Sequence, residues 1–269
     1  MLDMFSYQFM QNAFLASILV SIAAGIIGSL VVVNKMSYLA GGIAHCSYGG
    51  IGLAVFFSLP IVLGASVFAV IAALIIAILT LKERTKLDAT IGIIWAGGMA
   101  IGIVFIDLTS GYNVDLLSYL FGSILSVSRL DIYYTFVLDI LVLVLVGVYY
   151  KEFLAVSYDS EFAALRGVKV NVIYTLILLL CAFSIVALIQ IVGLILVIAL
   201  LSIPPYIAKI FCNNLSKMML VSVFLSLIFT LSGLVVSYYT NISSGACIVL
   251  IALLIFILVK IYAKCISLE

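Results

Sequence analysis

Residues 36–54 read M-S-Y-L-A-G-G-I-A-H-C-S-Y-G-G-I-G-L-A, and they place the one histidine of the chain, His45, in an apolar, glycine-punctuated run. On a helix, Gly41, His45 and Gly49 stack on one face at i, i+4 and i+8. A metal-competent imidazole is thus flanked by positions with no side chain. Such a face either packs tightly on another helix or leaves room for a solute to pass. Ionisable groups inside a bilayer are costly and commonly functional, so this stretch is where a transport reading begins.

Working outward, the surroundings are those of a membrane. The chain has 269 residues, 67% of them hydrophobic and 9% charged, with a mean hydropathy of +1.46. Soluble domains carry about 25% charged residues. The expected fold class is therefore all-α, a polytopic membrane protein forming a single domain over residues 1–269. A net charge of +1 gives no electrostatic footprint for nucleic acid. The five cysteines (Cys46, Cys181, Cys212, Cys247, Cys265) have no C-x-x-C spacing and read as small hydrophobes. The first residues, M-L-D-M-F-S-Y-Q-F-M-Q-N, hold neither a basic segment nor a cleavage site, so the first apolar stretch is expected to persist as a helix.

Runs of about 20 apolar residues cross a bilayer as helices. They are placed at 10–33, 37–59, 61–81, 90–106, 132–150, 172–190, 192–211, 218–238 and 243–261. The joints at Pro60 and around Gln190–Gly193 are weak, so the count is eight or nine. With the N-terminus outside and the C-terminus cytoplasmic, only Arg129 of the twelve Lys and Arg falls outside. Asp3, Asp107, Asp115 and Asp131 then share the outer face. They are either an electrostatic funnel for cations or simply solvated carboxylates.

Two connections exceed what a simple turn needs. Residues 115–125, D-L-L-S-Y-L-F-G-S-I-L, are too short to span and read as a re-entrant or interfacial helix. On the cytoplasmic side, residues 158–168, Y-D-S-E-F-A-A-L-R-G-V, read as a short helix capped by Asp159 or Ser160 and stopped at Gly167. Phe162 and Leu165 share a face there, with Glu161 and Arg166 nearby. The helix is either a docking knob for a soluble partner or a surface helix with none.

Catalysis is poorly served. The chain has no H-E-x-x-H, no G-x-S-x-G and no phosphate-binding glycine loop, which excludes the common hydrolases and a self-contained ATPase. Asp139, alone in T-F-V-L-D-I-L-V-L-V, must face the protein interior, as a helix–helix hydrogen bond or a cation contact. Gly25 with Gly28, and Gly97, Gly98 and Gly102, make thin helix faces for packing within the chain or between two copies. Pro204 and Pro205 are expected to break the seventh span near its cytosolic end.

Taken in order, these pieces resemble the membrane permeases of ATP-binding-cassette importers for zinc, manganese or iron. The resemblance runs from about Gly25 to Leu250. It covers G-I-I-G-S-L-V-V-V-N-K-M-S-Y from Gly25, G-G-I-A-H ending at His45, L-D-A-T-I-G-I-I from Leu87, and D-L-L-S-Y-L-F-G from Asp115 with Asp131 after it. The cytoplasmic D-S-E-F-A-A-L-R-G-V follows from Asp159. Then come V-G-L-I-L-V-I-A-L-L-S-I-P from Val192, G-L-V-V-S from Gly233, and S-G-A-C-I-V-L from Ser244.

The resemblance implies a multi-pass permease of the bacterial cytoplasmic membrane, surrounded by lipid, that is not itself an enzyme. It moves a divalent metal as cargo and holds no tightly bound cofactor. Its implied partners are a second permease copy, a cytoplasmic ATP-binding subunit that hydrolyses ATP, and an extracytoplasmic solute-binding protein. Carried over residue by residue, the path takes Gly41, His45, Gly49, Pro204 and Ser237. ATPase coupling takes Asp159, Glu161, Ala164, Arg166 and Gly167. The resemblance places metal contact at His45 alone; outside it, Asp139, Cys46 and the His45 of a second copy are the candidates for a further ligand.

One departure stands out: the family commonly has an aspartate four residues before its histidine, where this chain has Gly41, and a proline where it has Gly49. Zinc favours nitrogen and sulfur while manganese favours oxygen, so losing the carboxylate leaves the ion open. It also keeps two alternatives in play: a permease for a metal chelate or other small solute, and a stand-alone carrier using Asp139 as a proton relay.

Overall fold

The computed structural model describes residues 6–80, 87–109, 122 and 124–266. Among these, nine helices are long and apolar enough to cross a membrane. In hydrocarbon no water is present to satisfy backbone groups, so uninterrupted helices are the economical answer to these sequences. The nine are α1 (Gln8–Val33), α2 (Ser37–Phe56), α3 (Ile61–Thr80), α4 (Leu87–Asp107), α5 (Arg129–Val148), α8 (Val170–Val192), α9 (Leu194–Phe211), α10 (Leu215–Thr240) and α11 (Ser244–Ile266). Two short helices, α6 (Tyr150–Tyr158) and α7 (Ser160–Leu165), lie between α5 and α8.

The choice between eight and nine spans is decided at two turns. Pro60 ends the α2–α3 connection, where Ser58 takes a left-handed backbone with φ 54°. At the other weak joint Gly193 adopts φ 77°, open to glycine at little cost. α8 stops at Val192 and α9 begins at Leu194.

Several expectations need correction or restriction. The fifth span ends at Val148, and the chain continues as the separate helix α6, where a loop was expected. Phe153 and Val156 on α6 are buried, so that segment folds as an amphipathic element. The seventh span is not broken: α9 stays helical through Pro204 and Pro205 to Phe211. The expected re-entrant helix at 115–125 lies outside the described residues, apart from Gly122 and the 3₁₀ turn Ile124–Ser126. Lys82, Arg84 and Lys86, on which the orientation partly rests, also lie outside them, as do Asp3 and Asp115.

The chain forms two compact units. The first takes the described residues of Met1–Val32, Leu117–Leu143 and Ala187–Glu269. Here α1 is fastened to α10 by buried hydroxyls: Ser21 with Thr230 at 3.2 Å, and Ser29 donating to Ser222 at 3.2 Å. Between them Gly25 lets the backbone of Val223 approach, since an added Cβ would fall 2.5 Å from its nitrogen. Pro205 has no N–H to return to the Leu201 carbonyl. That carbonyl lies against Gly28, where a Cβ would sit 2.7 Å from it. Small residues and hydroxyls substitute here for the hydrophobic drive that lipid removes. Gly122 belongs to the same unit: at φ +53° it meets the backbone of Val192 and Gly193 so closely that no side chain fits.

The second unit takes the described residues of Val33–Leu116 and Val144–Val186. In it α2 packs on both α3 and α4. α2 is the least apolar of the nine spans, and 78% of its central window is buried. α4 by contrast is 17% buried and turns Ile93, Ile101, Ile103 and Val104 outward. The polar-bearing helix is shielded by apolar ones.

Candidate functional site

The glycines around His45 are packing positions before they are anything else. On α2, Gly50 faces the backbone of Gly64 on α3, and Gly52 faces that of Gly102 on α4. A Cβ on Gly49 would lie 2.5 Å from the Phe68 ring and 2.8 Å from the Gly98 carbonyl. One on Gly98 would lie 2.6 Å from the Cα of Cys46. The G-x-x-x-G pair Gly98 and Gly102 is therefore spent within the chain, on α2. Of the face singled out in the sequence, Gly49 is closed by its neighbours, and Gly41 is buried.

His45 is half-buried, and its Nδ1 is buried with no hydrogen-bond partner. Its ring lies flat on the indole of Trp95 from α4, with centroids 4.2 Å apart and planes at 12°. Cys46, the next residue, is buried against α4 and points about 100° away round the helix. Among the described residues no three His, Cys, Asp or Glu side chains come together. Among the described residues His45 thus offers a single imidazole, fewer donors than a tight metal site uses.

Asp139 belongs to the first unit and His45 to the second. Asp139 is 2% exposed, and neither carboxylate oxygen has a hydrogen-bond partner. The helix–helix hydrogen bond expected of it is not made. Ser237 is also buried, and its hydroxyl donates to the Ile242 carbonyl at 2.6 Å, closing the end of α10. Pro204 is buried in α9. At the N-terminal end of α5, Asp131 and Ser128 form a reciprocal cap. Asp131 Oδ2 accepts from the Ser128 N–H at 3.1 Å and hydroxyl at 2.6 Å, and its own N–H donates back to Ser128 Oγ at 3.2 Å. That carboxylate holds a helix end together.

The short helix after Asp159 is built as its sequence asks. Asp159 caps α7, its Oδ1 accepting from the Phe162 N–H at 2.9 Å. The helix closes through Gly167 N–H to Ala164 O at 3.0 Å and Val168 N–H to Ala163 O at 3.1 Å, with Gly167 left-handed at φ 81°. Ala163 is the buried anchor, while Phe162 and Leu165 stand exposed, Leu165 at 88%. Arg166 lies over the Phe162 ring at 5.0 Å. Behind the helix, Asn34 donates to Ser157 Oγ at 2.9 Å and ties α6 to the α1–α2 turn. An apolar knob bordered by charges of both signs, Glu161 and Arg166, thus stands on a fastened base.

Sequence reasoning missed Trp95. Its one available signal was uniqueness, since it is the only tryptophan in the chain, and nothing in spacing links α4 to His45.

Comparison with known proteins extends these features to nearly the whole chain. A family model described as the ABC 3 transport family matches residues 6–263. The uncharacterized membrane protein slr2045 of Synechocystis is 46% identical over 94% of this chain and 90% of its own length. The manganese transport system membrane protein MntC of Listeria innocua is 35% identical over 96% and 91%. Among solved structures, a chain of PsaBC from Streptococcus pneumoniae in complex with Fab superimposes with a TM-score of 0.84. It is 31% identical and covers 96% of this chain and 95% of that one.

Proposed function

The chain belongs to the ABC 3 transport family, and on that premise we propose that it is the permease subunit of a manganese importer. It is a multi-pass protein of the bacterial inner membrane and a metal-transport permease. Membership in the family sets aside the stand-alone carrier. The manganese reading is carried by one observation: 35% identity, along nearly the full length of both chains, to a protein named for manganese transport.

In this reading residues 1–269 form a single transmembrane permease domain with the N-terminus outside. Two copies assemble around the path, and His45 touches the ion in transit. Manganese favours oxygen donors and binds such sites weakly, so one imidazole without the carboxylate at Gly41 detains it without trapping it. A cytoplasmic ATP-binding subunit seats on α7 through Phe162 and Leu165, with Glu161 and Arg166 setting the charge match. Its ATP cycle drives alternating access. An extracytoplasmic binding protein delivers the metal.

The test is uptake into vesicles by the permease reconstituted with its ATPase, comparing Mn²⁺, Zn²⁺ and Fe²⁺. Mn²⁺ uptake dependent on ATP is the expected result. Zn²⁺ or Fe²⁺ uptake without Mn²⁺ would refute the ion, and ATP hydrolysis that moves none of the three would refute metal transport.

A further inference from the structure

Two observations meet at the α2–α4 contact. His45 Nδ1 is buried yet makes no hydrogen bond, so no partner on that edge fixes the rotation of the imidazole. Imidazoles that meet metals ordinarily have their second nitrogen anchored by a carboxylate or carbonyl, and that anchor sets the ring plane. One turn earlier, where a carboxylate would be in reach, stands Gly41.

The indole of Trp95 supplies a constraint of another kind. It covers one face of the imidazole, 4.2 Å away and within 12° of parallel. Trp95 is held in turn: its Nε1–H meets Met99 Sδ at 3.1 Å one turn further along α4, and the Tyr38 ring lies 6.2 Å away, tilted by 53°. Stacking of this kind restricts rotation of the imidazole but leaves its nitrogen lone pairs, which lie in the ring plane, outside the covered face.

Resting on the reading that His45 lies on the metal path, we propose that Trp95 is a positioning residue for His45. It presses the imidazole into one plane, so that a ring nitrogen is presented to a passing divalent cation. The flat face of an indole does here what a hydrogen-bonded carboxylate does at other metal sites.

Because Trp95 is the only tryptophan of the chain, the difference in emission between wild-type and Trp95→Phe complexes in lipid nanodiscs isolates its signal. Paramagnetic Mn²⁺ is expected to quench that signal saturably where Mg²⁺ does not, and His45→Ala is expected to abolish the saturable quenching. Trp95→Ala should raise the KM for Mn²⁺ uptake by about tenfold, the scale on which lost supporting groups weaken metal sites, and more than it lowers kcat. Trp95→Phe, which keeps a ring on the imidazole, should restore KM.

Quenching that persists in His45→Ala, a wild-type KM in Trp95→Ala, or a Trp95→Phe variant as impaired as Trp95→Ala would each overturn the proposal. Should Trp95→Ala fail to assemble, Trp95→Leu fills the volume without the stack and must show the same rise in KM. The two readings fail differently. A wild-type KM in His45→Ala removes His45 from the path, whereas an impaired His45→Ala beside a normal Trp95→Ala removes only the positioning role.

Discussion

Gly50 and Gly97 show how differently two glycines in neighbouring spans are used. An added Cβ at Gly50 would run into the Gly64 carbonyl, while at Gly97 it would meet nothing within 4 Å. Gly50→Ala should cost about 1–3 kcal/mol as the helices are forced apart. Gly97→Ala should be neutral or stabilising by up to about 1 kcal/mol through helix propensity. Thermal unfolding of the purified chain in detergent measures both, and equal losses would refute the packing described for α2 and α3. At this scale the sequence left open whether the glycine face beside His45 packs on another helix or leaves room for a solute, and at Gly49 the structure has packing. The sequence did not separate glycines that admit a neighbouring backbone from glycines that face outward. Both are a missing Cβ in the sequence, and only the partner helix distinguishes them. Ser237 and Asp131 carry the same lesson. Their polar atoms are taken up by the Ile242 carbonyl and by Ser128, local uses that a motif does not disclose.

Among the elements, α7 was the most legible. An N-cap residue, six helical residues and a left-handed glycine are local signals, and the cap and closing hydrogen bonds are local too. Reversing its charges with Glu161→Lys and Arg166→Glu should abolish co-purification of the ATP-binding subunit while leaving the thermal midpoint of the permease close to wild type. Retained co-purification would show that the ATPase seats elsewhere. α9 was less legible. Two adjacent prolines argue for a break on local grounds, but the carbonyl that Pro205 leaves unserved is packed against the bare Cα of Gly28, a contact more than 170 residues away in sequence. Helices in lipid tolerate proline when a neighbour covers the vacated group, and no local rule anticipates the neighbour.

For the whole molecule, the expected topology places Leu108 outside and Cys265 in the cytoplasm, and both are exposed at the ends of their spans. In intact cells a membrane-impermeant maleimide should label Leu108→Cys in a Cys265→Ser background and leave wild-type Cys265 untouched until the membrane is opened. The reverse pattern would turn the chain over. The sequence by itself determined the all-helical membrane class, the spans to within a few residues, the short capped helix after Asp159 and the family. All of these follow from hydropathy, capping residues and motif order, which are properties of consecutive residues. The tertiary structure alone decided that Gly98 and Gly102 pack on α2, that Asp139 is buried without a partner, and that His45 lies against Trp95. Those facts concern side chains from separate helices. Inside a bilayer, where burying apolar surface no longer singles out partners, such pairings are set by steric fit and by the few polar atoms available.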